Sequence, residues 1–258
     1  MAHWVRFRTV DGDIGFGTLV DAEIFEHQGD MFGVTHSTGR RFNSNACVLQ
    51  SPCTPSKIVG LWNNFYALAA KLGKAAPAHP LWFIKPDTSV IGPEESIRRP
   101  PGYTGKIVFE GELGIVVGKI CTRVSTLDAG RYIFGYTCVN DVTAADLLYE
   151  NSDFAQWARA KSFDTFSCIG PAIATDLDVS TANLLTRLGG HERQNYSLSD
   201  MIFKPAELVS RLSHDLTLLP GDVIACGTSL GVGSIKDDNK IEITISGVGT
   251  LANTLSAV

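Results

Sequence analysis

Two glutamates, Glu110 and Glu112, stand two residues apart in the otherwise apolar stretch Val108-Phe109-Glu110-Gly111-Glu112-Leu113-Gly114-Ile115-Val116-Val117. In a strand, residues i and i+2 project from one face, so the spacing predicts two carboxylates side by side. Adjacent negative charges in an apolar setting need a proton, a cationic partner or a metal ion. A third carboxylate, Asp141, follows the apolar run Ile133-Phe134-Gly135-Tyr136-Thr137-Cys138-Val139-Asn140. Three oxygen donors with no His or Cys beside them suit a hard divalent ion, Mg2+ or Mn2+, with water and substrate completing its shell. The competing reading of the same residues is an edge strand carrying solvated glutamates.

The elements that must position these groups read mostly as strands: Leu81 to Ile84, Lys106 to Lys119, Ile133 to Val139, Val223 to Cys226 and Ile241 to Ile245. Helices are expected near 143–159 and at 205–213, where Pro205 suits a first turn. Residues 1–53 carry short β-like runs broken by Asp11-Gly12 and Gln28-Gly29-Asp30, which predicts a small N-terminal antiparallel β module. Pro52 and Pro55 mark a boundary with a second domain over 54–258. Segment 60–80 predicts a short helix followed by a loose Ala/Pro loop of the kind that serves as a lid.

With 258 residues, 44% hydrophobic and 25 glycines, the chain can bury a full core and reads as a turn-rich β-containing protein, not a helical bundle. A formal charge of −5 gives no drive toward nucleic acid or anionic lipid. The apolar run Leu113 to Val117 is far too short to span a bilayer, and the start lacks a leader pattern, so a soluble cytoplasmic protein is expected. The six cysteines show no Cys-x-x-Cys pair and read as buried reduced thiols.

Taken together, Glu110-Gly111-Glu112-Leu113 through Val116-Val117-Gly118-Lys119, Gly135-Tyr136 with Asn140-Asp141-Val142-Thr143-Ala144, and Lys161-Ser162-Phe163-Asp164-Thr165-Phe166 with Ile169-Gly170-Pro171 resemble the fumarylacetoacetate hydrolase family. The likeness extends over about 57–258 through Asp200-Met201-Ile202-Phe203, Leu219-Pro220-Gly221-Asp222-Val223-Ile224 and the Gly227-Thr228 element. Trp82-Phe83-Ile84-Lys85-Pro86 and Val90-Ile91-Gly92 look most like its 2-hydroxyhepta-2,4-diene-1,7-dioate isomerase and 5-oxopent-3-ene-1,2,5-tricarboxylate decarboxylase branch. The resemblance implies a β-rich α+β fold, a mixed β-sandwich roll with short peripheral helices, assembled as a homodimer. It implies Glu110, Glu112 and Asp141 as ligands of Mg2+ or Mn2+, and a small 2-oxo or diketo acid as substrate. Lys161 would lie near the metal and the bound oxyanion, while Gly227 and Thr228 would hold the substrate's carboxylate or oxygen. Lys85 could face the pocket or be solvated.

The sequence departs from the hydrolytic members in one informative place. Their lid segment carries a His and a Glu that activate water, whereas Gly60-Leu61-Trp62-Asn63-Asn64-Phe65-Tyr66-Ala67-Leu68-Ala69-Ala70-Lys71 has neither. His79 alone follows, between Ala78 and Pro80. Beyond Asp141, Ala145 and Leu148 of Ala144-Ala145-Asp146-Leu147-Leu148 stand where many members have an arginine and a glutamine, which makes that side of the pocket more apolar and less cationic, and Ser229 replaces a usual proline. The expected chemistry is therefore decarboxylation or isomerisation of a 2-oxo or 1,3-dicarbonyl carboxylate in aromatic-compound catabolism. The alternatives are an acylpyruvate-type C–C hydrolase and a catalytically silent metabolite-binding homologue.

Overall fold

The computed structural model describes residues 1–256. The chain opens as an antiparallel meander of β1 (His3–Arg8), β2 (Ile14–Val20), β3 (Glu23–Gly29) and β4 (Thr35–Asn43), and the short β5 (Val48–Gln50) returns to pair with β1. Strand alternation sends Val5 and Phe7 of β1 inward, where they pack with Ile24. After Pro52 come β6 (Lys57–Trp62) and its antiparallel partner β7 (Leu81–Pro86), with α1 (Tyr66–Lys71) in the connection, then the short β8 (Val90–Ile91) and β9 (Ser96–Arg98).

The centre of the fold is built from strands that nearly touch end to end. Only Glu110 separates β10 (Ile107–Phe109) from β11 (Gly111–Val117). After α2 (Thr126–Ala129), only Val142 separates β12 (Ile133–Asp141) from β13 (Thr143–Ala144). Two short helices, α3 (Ala145–Leu148) and α4 (Trp157–Lys161), lead to β14 (Ser167–Ala174). The chain finishes with the hairpin β15 (Asn183–Leu188) and β16 (His191–Ser197), α5 (Pro205–Asp215), β17 (Val223–Ala225), β18 (Gly233–Ile235), β19 (Lys240–Ile245) and β20 (Gly249–Ser256).

Three sheets result. A twelve-stranded sheet runs β4-β3-β2-β1-β14-β12-β11-β17-β6-β7 with β5 and β8 attached, a five-stranded sheet runs β16-β15-β19-β20-β9, and a three-stranded sheet runs β13-β10-β18. The N-terminal meander thus continues the large sheet, with His3 opposite Ala174 and Trp4 opposite Ile173. Every residue of β11 is buried because both faces of this strand are covered. Leu113, Ile115 and Val117 join one apolar cluster with Leu184 and Ile243, while Val116 joins another with Ile58 and Val223.

The three-stranded sheet creates a seam. The pairing of β11 with β12 in the large sheet is succeeded, across Glu110 and Val142, by the pairing of β10 with β13 in the small one. The chain of β17, which pairs with β11, likewise leaves for β18, which pairs with β10. The single strand expected over 106–119 is therefore broken at Glu110, because residues on its two sides belong to different sheets. The helix expected over 143–159 is also reduced to α3 and α4. Between them Asn151 accepts from the amides of Asp153 and Phe154, a turn that competes with helix. Over 205–213 the helix does form, with Pro205 in its first turn and Leu208, Val209 and Leu212 buried along one stripe. Among the described residues no helix is long and apolar enough to cross a membrane.

Candidate active site

The seam gathers the acidic residues. Glu110 sits at the crossing, Glu112 is the second residue of β11, and Asp141 ends β12. The Asp141 amide donates to the Glu110 carbonyl at 3.0 Å, which locks the two crossings together. One carboxylate oxygen from each of Glu110, Glu112 and Asp141 lies within 4.8 Å of the others. The two-residue spacing of the glutamates does place both on one side, although the strand is interrupted at the first of them.

Two lysines reach into this cluster. Lys161, the last residue of α4, donates to Asp141 Oδ2 at 2.5 Å and to Glu110 Oε2 at 2.9 Å. Lys85, on β7, donates to Asp141 Oδ1 and, at 2.6 Å, to the Phe166 carbonyl. Both lysines are buried. The Thr143 hydroxyl donates to Glu110 Oε1 at 3.1 Å. Lys85 thus faces inward from its strand, with its bonds going to the protein's own oxygens.

Glu112 is treated differently. Its Oε2 accepts from the Gly227 amide at 2.8 Å, but Oε1 is buried without a hydrogen-bond partner. A buried carboxylate oxygen left bare is costly, so the position calls for a proton or a cation. Three carboxylates against two ammonium groups leave one negative charge uncompensated, and the oxygens present are hard donors converging from two segments, 110–112 and the end of β12. The donor set fits a divalent ion of the Mg2+ or Mn2+ type, which Glu110, Glu112 and Asp141 would hold.

The electrostatics follow from this arrangement. Burial pushes the Glu112 carboxyl well above its usual range, and Asp141 and Glu110 push it further. Burial also raises Glu110, against the pull of Lys161, but its side chain stays 19% exposed and the effect there is the weaker. Asp141 is also opposed by burial, yet Lys161 and Lys85 outweigh it and hold its carboxyl below the usual range. The lysines divide in the same way. Burial lowers Lys85, whose main support is Asp141 alone and which feels the charge of Lys161. Burial also opposes Lys161, but Asp141, Glu110 and Glu112 together carry it above its ordinary value. Lys161 is the firmly charged ammonium of the pair.

Around Lys161 the wall is aromatic. Its Nζ lies 5.1 Å from the centre of the Phe83 ring, Phe83 stacks on Trp157 at 5.7 Å, and Trp157 tilts against Trp62 at 5.7 Å. Phe83 lies over Gly60 of the paired strand, where an added Cβ would come within 2.4 Å of the ring. Lys74, from the loop after α1, sits over Trp62 at 5.5 Å. That loop is tied down by Asn63 to the Ala75 carbonyl and by Arg211 to the Ala78 carbonyl. His79 is exposed and its Nδ1 faces Arg211 of α5 at 3.4 Å.

Thr228 is buried next to Gly227, and its hydroxyl donates to the Gly111 carbonyl at 2.9 Å. Two residues that sequence reasoning missed meet it there. Gln194 donates to the Thr228 hydroxyl at 2.8 Å, and Tyr196 donates to the Gly111 carbonyl at 2.6 Å. Both lie on β16 two residues apart, a strand-face spacing that was the only signal for them in an otherwise polar run.

The family of the fumarylacetoacetate (FAA) hydrolase C-terminal domain matches residues 57–256, and an Rv2993c-like N-terminal family matches residues 2–48. Protein Rv2993c of Mycobacterium tuberculosis is 41% identical over 253 residues, 96% of this chain and 93% of its own length. Oxaloacetate tautomerase YisK of Bacillus subtilis is 38% identical over 214 residues, 78% of this chain and 70% of its own. The crystal structure of 2-hydroxyhepta-2,4-diene-1,7-dioate isomerase from Mycobacterium marinum superposes with a TM-score of 0.90 at 36% identity, covering 99% of this chain and 98% of the other.

Proposed function

The chain belongs to the fumarylacetoacetate hydrolase family, and on that premise we propose that it is a divalent-metal-dependent isomerase or decarboxylase of small 2-oxo carboxylates. The observation that carries this reading is the buried, unpartnered Glu112 Oε1 beside Glu110 and Asp141. Mg2+ or Mn2+ held there would supply Lewis acidity toward the substrate's 2-oxo and carboxylate oxygens, stabilising negative charge that develops as a neighbouring C–H or C–C bond breaks. The tautomerase and isomerase activities named for two of the relatives support the same chemistry.

The chain's own residues divide the work. Lys161 orients Glu110 and Asp141 and keeps its proton among them, so it acts as a fixed positive charge and hydrogen-bond donor toward a developing oxyanion. Lys85 neutralises the other side of Asp141 from within the core. Gly227 fixes one oxygen of Glu112 and leaves the other without a protein partner, free to ligate a cation were one bound. Phe83, Trp157 and Trp62 form an apolar wall next to Lys161, which favours a substrate whose far end is uncharged and flat.

Hydrolysis would require a base to activate water, a contribution of about 10²–10⁴-fold. Among the described residues, the side chains bonded to the three carboxylates are Lys85, Lys161 and Thr143, and none is an imidazole. The test is product analysis with purified protein, Mg2+ and a panel of 2-oxo and 1,3-diketo acids, followed by proton NMR. Keto–enol exchange, a shifted double bond or released carbon dioxide, each abolished by chelation, is the expected result. Pyruvate with a free carboxylic acid as the products would overturn it in favour of hydrolysis.

A further inference from the structure

At Gly111 the backbone N–H and C=O point away from β12, toward the side that β17 occupies further along. There β17 pairs with β11 only from Gly114 onward, and Cys226 makes the last backbone bond, to the Leu113 carbonyl at 2.8 Å. The open polar groups of Gly111 are taken by side chains instead, as buried backbone groups must be. Gln194 is 1% exposed. Its Oε1 accepts from the Gly111 amide at 3.0 Å and from the Thr186 hydroxyl at 2.9 Å, while its Nε2 donates to Thr228. Thr228 and Tyr196 then both donate to the Gly111 carbonyl. Residue 111 has room for nothing larger, since a Cβ would stand 2.4 Å from Thr186 Oγ1 and 2.9 Å from Gln194 Oε1.

We infer that Gln194 is a positioning residue for the metal site, acting through Gly111, the one residue between two of its carboxylates. The inference rests on the metal reading above. Glu110 and Glu112 flank this residue, so any rotation of its peptides turns both side chains at once. Gln194 clamps it from the amide side and steadies the hydroxyl that clamps it from the carbonyl side. The Gly227-Thr228 segment is held by the same amide, and Gly227 in turn bonds Glu112. One buried amide therefore sets three of the contacts that aim the glutamates.

The test is titration of Mn2+ into the purified full chain, with the Mn2+ EPR spectrum as a second readout and melting in EDTA as the control for folding. Gln194→Met keeps the length of the side chain and loses the amide's bonds to Gly111, Thr186 and Thr228. Its Mn2+ affinity is expected to fall about 10–100-fold, the range found when groups orienting metal ligands are removed, with a broadened EPR signal. Thr228→Val should weaken Mn2+ similarly through the Gly111 carbonyl, and Thr228→Ser should restore it. Wild-type affinity and spectrum in Gln194→Met and Thr228→Val would overturn the inference. If Gln194→Met fails to fold, the Thr228 pair decides it. If the wild-type chain takes up no Mn2+, the metal reading itself falls.

Discussion

Lys161 donates to Asp141 Oδ2 at 2.5 Å in a setting where its side chain is 2% exposed and that of Asp141 1%. The same ammonium reaches Glu110, so one lysine binds two of the three acidic residues. Lys161→Met is expected to lower kcat by about 10²-fold or more, as loss of a fixed donor to a developing oxyanion does. Without metal it should also lose about 3–5 kcal/mol of stability, the effect of stranding one partner of a buried pair. Steady-state kinetics and denaturant unfolding in EDTA check the two parts separately.

His79 is turned to Arg211 and makes no bond to the acidic cluster. Loss of a general base lowers turnover by about 10²–10⁴-fold, and His79→Ala is expected to stay near the wild-type rate on its best substrate. A drop in the general-base range would return the imidazole to the mechanism.

The stacked rings of Phe83 and Trp157 stand next to Lys161. Trp157→Ala is expected to raise KM about tenfold for a 2-oxo acid with a flat apolar tail, equivalent to about 1.4 kcal/mol, while leaving KM for a short 2-oxo acid without such a tail unchanged. Comparing the two KM ratios distinguishes a tail-binding wall from a general loss of structure, which would move both.

Gly111→Ala places a methyl group against Thr186 and Gln194 at the distances given above. Both contacts are with buried side chains that already hold hydrogen bonds, so neither can move freely. A destabilisation of about 1–3 kcal/mol is expected, the usual range for overpacking a full core, measured by urea unfolding in EDTA.

Much of the site was legible in the sequence because its chemistry is local. The spacing of Glu110 and Glu112 and the position of Asp141 after an apolar run raised a shared cation but equally allowed solvated glutamates, and the likeness to a family favoured the cation. The break of the strand at Glu110 was not legible, since it arises from the pairing of β10 with Ser234 and Thr143, residues that are distant in sequence. Lys85 could be read equally as pocket-facing or solvated, because alternation along β7 fixes its face but not what covers that face. Gln194 sits in His191-Glu192-Arg193-Gln194-Asn195-Tyr196, a run whose composition says surface, and only the fold shows that its amide is buried against Gly111. The expected helix over 143–159 failed for a local reason, the Asn151 turn between α3 and α4.

The most direct test is isothermal titration of Mg2+ and Mn2+ into the metal-free chain and into Glu112→Gln. Binding of one ion per chain to the wild type, abolished or strongly weakened when Glu112 loses its charge, is the result the account predicts. No uptake by the wild type, or equal uptake by both proteins, would contradict it.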